Sequence, residues 1–269
     1  MISRPNVNAK KIVRWLNRNM LNRFQLRVVD TVRESNRAEF HRYEYQEECE
    51  AHIERVKEHS IPLTFARLAT LYGQVRYLED NGIDGDFVEC GVWRGGAAGM
   101  MALAQMDSGR PPRHIHMFDS FEGLPRATDK DDERTINRVG LQTEGADIEV
   151  SGDLAVDDTW VRGLFKDIAY PDSHTHIHKG WFQDTLPAYA AGKPKIALLR
   201  LDGDLYESTR VSLEHLWDLL VPHGVMVIDD YLAFGGCKVA IDELMETLPV
   251  KPYLSKIHGY GGRYLIKPA

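Results

Sequence analysis

An α/β fold with a mostly parallel sheet, preceded by an N-terminal helical arm, is what this sequence predicts, and three observations predict it. The apolar run ending in Phe87-Val88-Glu89 is followed by Gly91, Gly95 and Gly96 and then by the Ala/Met-rich stretch Ala97 to Gln105, the order strand, tight turn, helix. Ile196 to Leu201, a helical pattern from about Ser208 to Leu220, and Val225 to Ile228 repeat the order strand, helix, strand. The glycine-rich ending Ile257 to Ile266 has the makings of a hairpin that adds two strands at the sheet edge.

Composition sets the outer bounds. A chain of 269 residues, 43% of them hydrophobic, accommodates one large α/β domain with an appendage, or two small domains. A net charge of −7 gives no overall pull toward nucleic acid. Cys49, Cys90 and Cys237 are far apart, odd in number and outside any Cys-x-x-Cys pair, which argues against a disulfide framework or a cysteine zinc site and fits a reducing cytoplasm. No apolar core near the start resembles a signal peptide and no run reaches bilayer length, so a soluble protein is expected.

The chain divides in two by charge. Residues 1–40 hold nine Lys/Arg against three Asp/Glu, whereas the chain as a whole is acidic. Within that arm Ile12, Val13, Leu16, Met20, Leu21, Phe24, Val28 and Val32 recur at helical steps among basic residues, a pattern expected to pack on the body or on a second copy of the chain rather than on a membrane. A homodimer or higher assembly follows from that expectation. The stretch 37–60 turns acidic and aromatic and is a candidate lid, so 1–60 is read as arm and lid and 61–269 as the main domain. Leu68, Leu71, Val75 and Leu78 then mark a helix that leads into the Asn81-Gly82 turn and the first strand.

In the turn itself, glycine accepts positive φ and lets a ligand approach the main chain, while the free N–H groups of the following helix attract anionic groups. His114 to Phe118 is a short strand ending at Asp119, which lies where the second strand of a βαβ unit ends and where a carboxylate accepts hydrogen bonds from a ribose. The long polar segment Arg126 to Asp153 reads as mobile, or as a flap over substrate. His174, His176 and His178 alternate on one strand face. Because the row runs along a strand body rather than beyond its carboxyl end, an exposed face is expected rather than a metal site. Trp181 to Thr185 follows at the carboxyl end and offers a flat aromatic and a carboxylate to an adenine ring.

Asp202, Asp229 and Asp230 end two adjacent parallel strands and therefore converge at one sheet edge. Like charges gathered in a dry crevice cost several kcal/mol unless a proton or a cation neutralises them. An all-oxygen set of this kind suits Mg²⁺, whose open positions remain available to water or hydroxyl groups.

Five segments in order now support a resemblance. Glu89-Cys90-Gly91-Val92-Trp93-Arg94-Gly95-Gly96, Phe118-Asp119-Ser120-Phe121-Glu122-Gly123-Leu124-Pro125, Gly180-Trp181-Phe182-Gln183-Asp184-Thr185-Leu186-Pro187, Leu199 to Thr209 and Val227-Ile228-Asp229-Asp230-Tyr231 resemble the macrocin O-methyltransferase family, over about residues 61–240. The resemblance implies a Rossmann-like class I fold with a mostly parallel seven-stranded sheet and a C-terminal antiparallel hairpin. It also implies Mg²⁺-dependent methyl transfer from S-adenosylmethionine to a sugar hydroxyl of a glycosylated small molecule, as in antibiotic biosynthesis. By motif, it assigns Glu89 and Gly91 to the methionine part of the cofactor, Asp119 to the ribose with Ser120 beside it, and Trp181, Phe182 and Asp184 to the adenine side. Thr64 reaches the cofactor from outside the sheet. Asp202, Asp229 and Asp230 ligate the metal, with Asp202 doubling as general base. The ending lacks the Trp expected near the family's C-terminus, and the arm is only loosely similar; these regions shape the acceptor pocket.

Two other readings stand beside this one. An acidic second-strand end also serves NAD in an oxidoreductase, although Gly-x-Gly-x-x-Gly is missing. A non-catalytic scaffold of the same fold would use the basic arm to hold a partner. Serine hydrolase, zincin and P-loop motifs are all lacking.

Overall fold

Five of the seven strands run parallel, and β1, β4 and the second half of β5, in the middle of the sheet, are buried, which is why they read as short apolar runs rather than as alternating ones. The computed structural model describes residues 46–60, 63–143, 145–257 and 261–269. The basic arm and the first part of the expected lid lie outside the described residues.

The strands are β1 (Asp86–Cys90), β2 (Ile115–Asp119), β3 (Thr175–Lys179), β4 (Ile196–Leu201), β5 (Leu220–Ile228), β6 (Ser255–Lys256) and β7 (Arg263–Ile266). Their order across the sheet is β3-β2-β1-β4-β5-β7-β6, with β7 antiparallel to both β5 and β6. The expected C-terminal hairpin is therefore present at the edge. Strand order reverses between β1 and β4, and a crevice opens at such a reversal, beyond the carboxyl ends of the strands.

The helices are α1 (Gln46–Val56), α2 (Phe65–Asp80), α3 (Gly96–Asp107), α4 (Glu133–Val139), α5 (Thr159–Asp167), α6 (Phe182–Ala191), α7 (Tyr206–Leu216) and α8 (Gly235–Thr247). In α2 the expected Leu68, Leu71, Val75 and Leu78 are all buried, and Thr64 caps the helix by accepting the Arg67 N–H. α3 is apolar all round and almost wholly buried, as a helix covered on both sides must be. The Cys49 and Val56 side chains of α1 are buried, and His52 contacts Asp107 at the end of α3. The described half of the candidate lid thus packs on the helical layer, and none of its residues lines the crevice.

The segment 126–153 departs from the expectation of a mobile loop. It contains α4 and is pinned by backbone bridges between Pro125 and Val150 and between Ala127 and Leu141. Its acidic residues do the anchoring. Asp132 caps α4 and also accepts the Gly235 N–H at 2.7 Å, at the start of α8. Asp131 accepts the Tyr206 N–H at 2.8 Å, at the start of α7, and the Thr128 N–H at 2.8 Å. Helix N-termini carry unpaired N–H groups and partial positive charge, so two carboxylates that read as solvated loop charges are structural pins.

Candidate active site

The ends of β1, β4 and β5 are brought level by their register. Cys90 pairs with Leu201 and Leu201 with Ile228, and the ladder continues past them through Asp202 N–H to Cys90 O at 2.8 Å and Asp229 N–H to Leu201 O at 2.9 Å. Gly91, Asp202 and Asp229 therefore share one edge. At φ +86°, Gly91 is pressed so closely on its neighbour that an added Cβ would lie 1.9 Å from the Asp202 carbonyl oxygen. A Cβ on Gly96 would lie 2.0 Å from Ser60 Oγ. Both glycines are required by the approach of other segments of this chain, a demand additional to ligand access.

Asp119 fastens the turn. Its Oδ2 accepts the N–H groups of Val92 at 2.7 Å and Trp93 at 2.9 Å, and its Oδ1 accepts that of Phe121 at 2.7 Å. Burial raises its pKa and these three donors oppose the rise. Of the roughly four acceptor positions of a carboxylate, three are filled, which leaves one rather than two for the hydroxyls of a ribose. Ser120 Oγ accepts the Glu122 N–H at 3.1 Å.

The acidic residues form one network around two arginines. Ligand atoms of Asp202, Asp229 and Asp230 all lie within 4.8 Å of one another. Arg200, buried next to the last residue of β4, donates to Glu89 Oε1 at 2.6 Å and to Asp202 Oδ2 at 2.8 Å, and lies 3.1 Å from Asp229 Oδ1. Arg67 of α2 donates to Asp229 Oδ1 at 2.9 Å and pairs with its other oxygen as well.

The network is short of positive charge. Four carboxylates, Glu89, Asp202, Asp229 and Asp230, face two guanidinium groups. Burial pushes Glu89 up to about 7 despite Arg200, and its Oε2 is buried with no hydrogen-bond partner. Burial, then Asp204 and Asp202, hold Asp230 well above the ordinary carboxylate range, and Asp230 Oδ2 is likewise unpartnered. Burial and the charge of Asp202 push neighbouring Asp204 up to about 8. Asp202 runs the other way. Burial would raise its pKa, but Arg200 and Arg67 hold it low, so it stays ionised.

These residues fit a hard divalent cation. The donors are all oxygen, three carboxylates converge, and Asp230 Oδ2 is buried without a hydrogen-bond partner.

Above the network lies a cavity of about 540 Å³ whose wall includes Gly91, Trp93, Asp119, Ser120, Trp181, Phe182, Asp202, Asp204 and Asp230. Its far wall comes from segment 124–154, with Leu124, Ile148 and Leu154, and from Phe234. Glu89 and Asp229 sit behind the lining. Besides Glu89, two expected cofactor residues are outside it. Thr64 is exposed and occupied as the α2 cap, and Asp184 projects to solvent from the first turn of α6, where its charge suits the helix terminus.

Arg67 and Arg200 are the site residues that sequence reasoning did not single out. A charged residue inside an otherwise apolar, fully buried strand is the signal that would have found Arg200, because such a charge requires partners. Arg67 left no comparable mark, since its partner is 162 positions away.

Comparison with known proteins identifies the family. The macrocin-O-methyltransferase family matches the chain over residues 10–264. The 8-demethyl-8-(2,3-dimethoxy-alpha-L-rhamnosyl)-tetracenomycin-C 4'-O-methyltransferase of Streptomyces olivaceus is 36% identical over 200 residues, 72% of this chain and 71% of that protein. The demethyldecarbamoylnovobiocin O-methyltransferase of Streptomyces niveus is 34% identical over 177 residues, 66% of this chain and 64% of its own length. The solved structure of the O-methyltransferase NovP superposes with a TM-score of 0.66 at 30% identity, covering 76% of this chain and 81% of that one. The sheet with its terminal hairpin is thus the Rossmann-like class I methyltransferase fold.

Proposed function

The chain belongs to the macrocin-O-methyltransferase family and is an O-methyltransferase, and on that premise we propose that it is a Mg²⁺-dependent enzyme using S-adenosylmethionine to methylate a sugar hydroxyl of a glycosylated natural product. The observation that carries this reading is the convergence of Asp202, Asp229 and Asp230 within 4.8 Å of one another, with Asp202 and Asp230 in the wall of the cavity and Asp229 behind it. The nicotinamide and scaffold readings fall away with the family assignment.

The residues divide the work. Gly91, Asp119, Ser120, Trp181 and Phe182 form the cofactor wall, and Glu89 offers its unpartnered Oε2 to the cationic end of the methionine part. Asp202, Asp229 and Asp230 hold the metal. S-adenosylmethionine supplies an electrophilic methyl group on a sulfonium. The divalent ion supplies Lewis acidity that lowers the pKa of a sugar hydroxyl.

Asp202 is the general base. Arg200 pairs with its Oδ2 and, with Arg67, keeps it ionised, and an ionised carboxylate at this edge accepts the hydroxyl proton. Segment 124–154 bounds the acceptor side and excludes water there, so that the walls position the reactants rather than stabilise new charge. An assembly of two or more copies belongs to the same proposal and rests on the amphipathic arm.

Mass spectrometry of a methyl-transfer assay over a panel of glycosylated metabolites tests the reading. It predicts the gain of one methyl on the sugar of at least one glycoside; methylation confined to the aglycone would contradict it.

A further inference from the structure

Three unfavourable or uncommon features meet at the dipeptide Trp93-Arg94. Trp93 lines the cavity and stands at φ +51°, a left-handed backbone that a bulky side chain rarely adopts. Asp119 Oδ2 helps hold it there by accepting its N–H at 2.9 Å. The Arg94 guanidinium lies between two indoles, 4.5 Å from the Trp93 ring centroid and 4.3 Å from that of Trp160 in the first turn of α5. Its Nε is buried with no hydrogen-bond partner.

The short 3-10 turn Lys57–His59, which follows α1, fastens this sandwich. His59 donates its Nδ1–H to the Arg94 carbonyl at 2.9 Å, and its ring meets that of Trp160 edge to face with centroids 5.5 Å apart. Arg94 Nη1 donates to the Glu58 carbonyl at 3.4 Å. A left-handed backbone at Trp93 and an unpaired buried N–H on a permanent cation both cost free energy, and such features persist where the surroundings over-determine them, above all at ligand sites. A plain surface turn needs neither. Here they fix one indole at the cavity wall.

We propose that the Trp93 indole binds the methionine part of S-adenosylmethionine, and that Arg94 and Trp160 are positioning residues that hold it in place; this assignment rests on the cofactor reading above. Trp181, Asp119, Gly91 and Asp202 stand at or just beyond the carboxyl ends of β3, β2, β1 and β4, which are neighbours in that order across the sheet. With adenine beside Trp181 and ribose at Asp119, the amino-acid chain passes over the end of β1, where Trp93 follows Gly91 by two residues. Glu89 Oε2 takes the ammonium group there, and the indole supplies the apolar wall for the methylene carbons. A guanidinium stays charged at any working pH and packs flat against both rings, so the stack keeps its geometry where a neutral chain leaves a gap. Without Arg94, nothing backs Trp93 against Trp160.

The test is calorimetric titration of the full chain and its variants with S-adenosylhomocysteine and with 5′-methylthioadenosine, which keeps the adenosine and the sulfur but lacks the amino-acid chain. Urea midpoints are measured alongside. Trp93→Gly, whose backbone suits the left-handed turn, and Arg94→Met are each expected to weaken S-adenosylhomocysteine about tenfold while changing 5′-methylthioadenosine by less than about twofold. Arg94→Lys, which keeps the charge but not the plane, is expected to recover part of the loss, and Trp160→Leu to give a smaller loss of the same kind. Wild-type affinity for S-adenosylhomocysteine in Trp93→Gly overturns the proposal, and so does equal weakening of both ligands, which marks a loosened pocket instead. A wild type that binds neither ligand removes the cofactor reading itself, an outcome distinct from either of these.

Discussion

Arg200 Nη1 donates to Glu89 Oε1 at 2.6 Å across the β1–β4 boundary, with both side chains buried, and this contact ties the turn to the acidic cluster. Removing the guanidinium leaves Glu89 and Asp202 without that partner in a dry site. Arg200→Met is expected to lower stability by about 3–5 kcal/mol in urea unfolding, the range for losing one member of a buried pair. Arg200→Lys, which keeps the charge but not the fork, is expected to recover part of the loss. Equal stability of Arg200→Met and wild type would remove Arg200 from the account.

Gly91→Ala probes the edge from the other side. Its φ of +86° alone costs a side chain about 1–2 kcal/mol, and the added methyl meets the Asp202 carbonyl at 1.9 Å. A lowered urea midpoint and weakened binding of S-adenosylhomocysteine are expected. Gly163→Ala is the control. It lies in α5 with nothing within 4 Å of the added carbon, so a gain of about 0.5–1 kcal/mol is expected from helix propensity.

Asp132→Ala removes both the α4 cap and the acceptor of the Gly235 N–H. A loss of about 1–2 kcal/mol is expected, together with faster limited proteolysis between residues 126 and 153. Unchanged proteolysis would show that the segment is held by its backbone bridges instead.

Much of the sheet and the acidic edge was legible in the sequence because the signals are local. Glu89, Asp119, Asp202, Asp229 and Asp230 each end an apolar run, and strand ends of a parallel sheet share one side. Segment 126–153 was not legible, because Asp131 and Asp132 find their partners 75 and 103 positions away, and nearby sequence shows only charge. The stacking of the histidine rows across β2 and β3 was hidden for the same reason. His174, His176 and His178 announce an alternating strand, but the matching row on β2 becomes a partner only through register. Thr64 and Asp184 hold motif positions but lie outside the cavity wall, Thr64 as the cap of α2 and Asp184 exposed in the first turn of α6.

The histidine rings that stack between β2 and β3 also make stability depend on pH. Burial, then His116 and His176, push His178 from 6.5 down to about 4 in the folded chain. A base with a depressed folded pKa is protonated more readily when unfolded. Its contribution is therefore present above about pH 6.5 and is lost progressively as pH falls toward 4. Urea midpoints across that window should fall more steeply for wild type than for His178→Gln. Parallel curves would show that the ring titrates as it does in the unfolded chain.

The central claim is that the carboxylates closing β4 and β5 hold a divalent ion and that Asp202 takes the hydroxyl proton. The most direct measurement is the initial rate of methyl transfer for wild type and Asp202→Ala, in Mg²⁺ and in excess EDTA, with S-adenosylhomocysteine affinity measured in parallel. Wild type is expected to lose activity in EDTA and regain it with Mg²⁺. Asp202→Ala should bind the cofactor product nearly as well while turning over at least about 100-fold more slowly. Undiminished wild-type activity in EDTA, or wild-type rates from Asp202→Ala, would contradict the account.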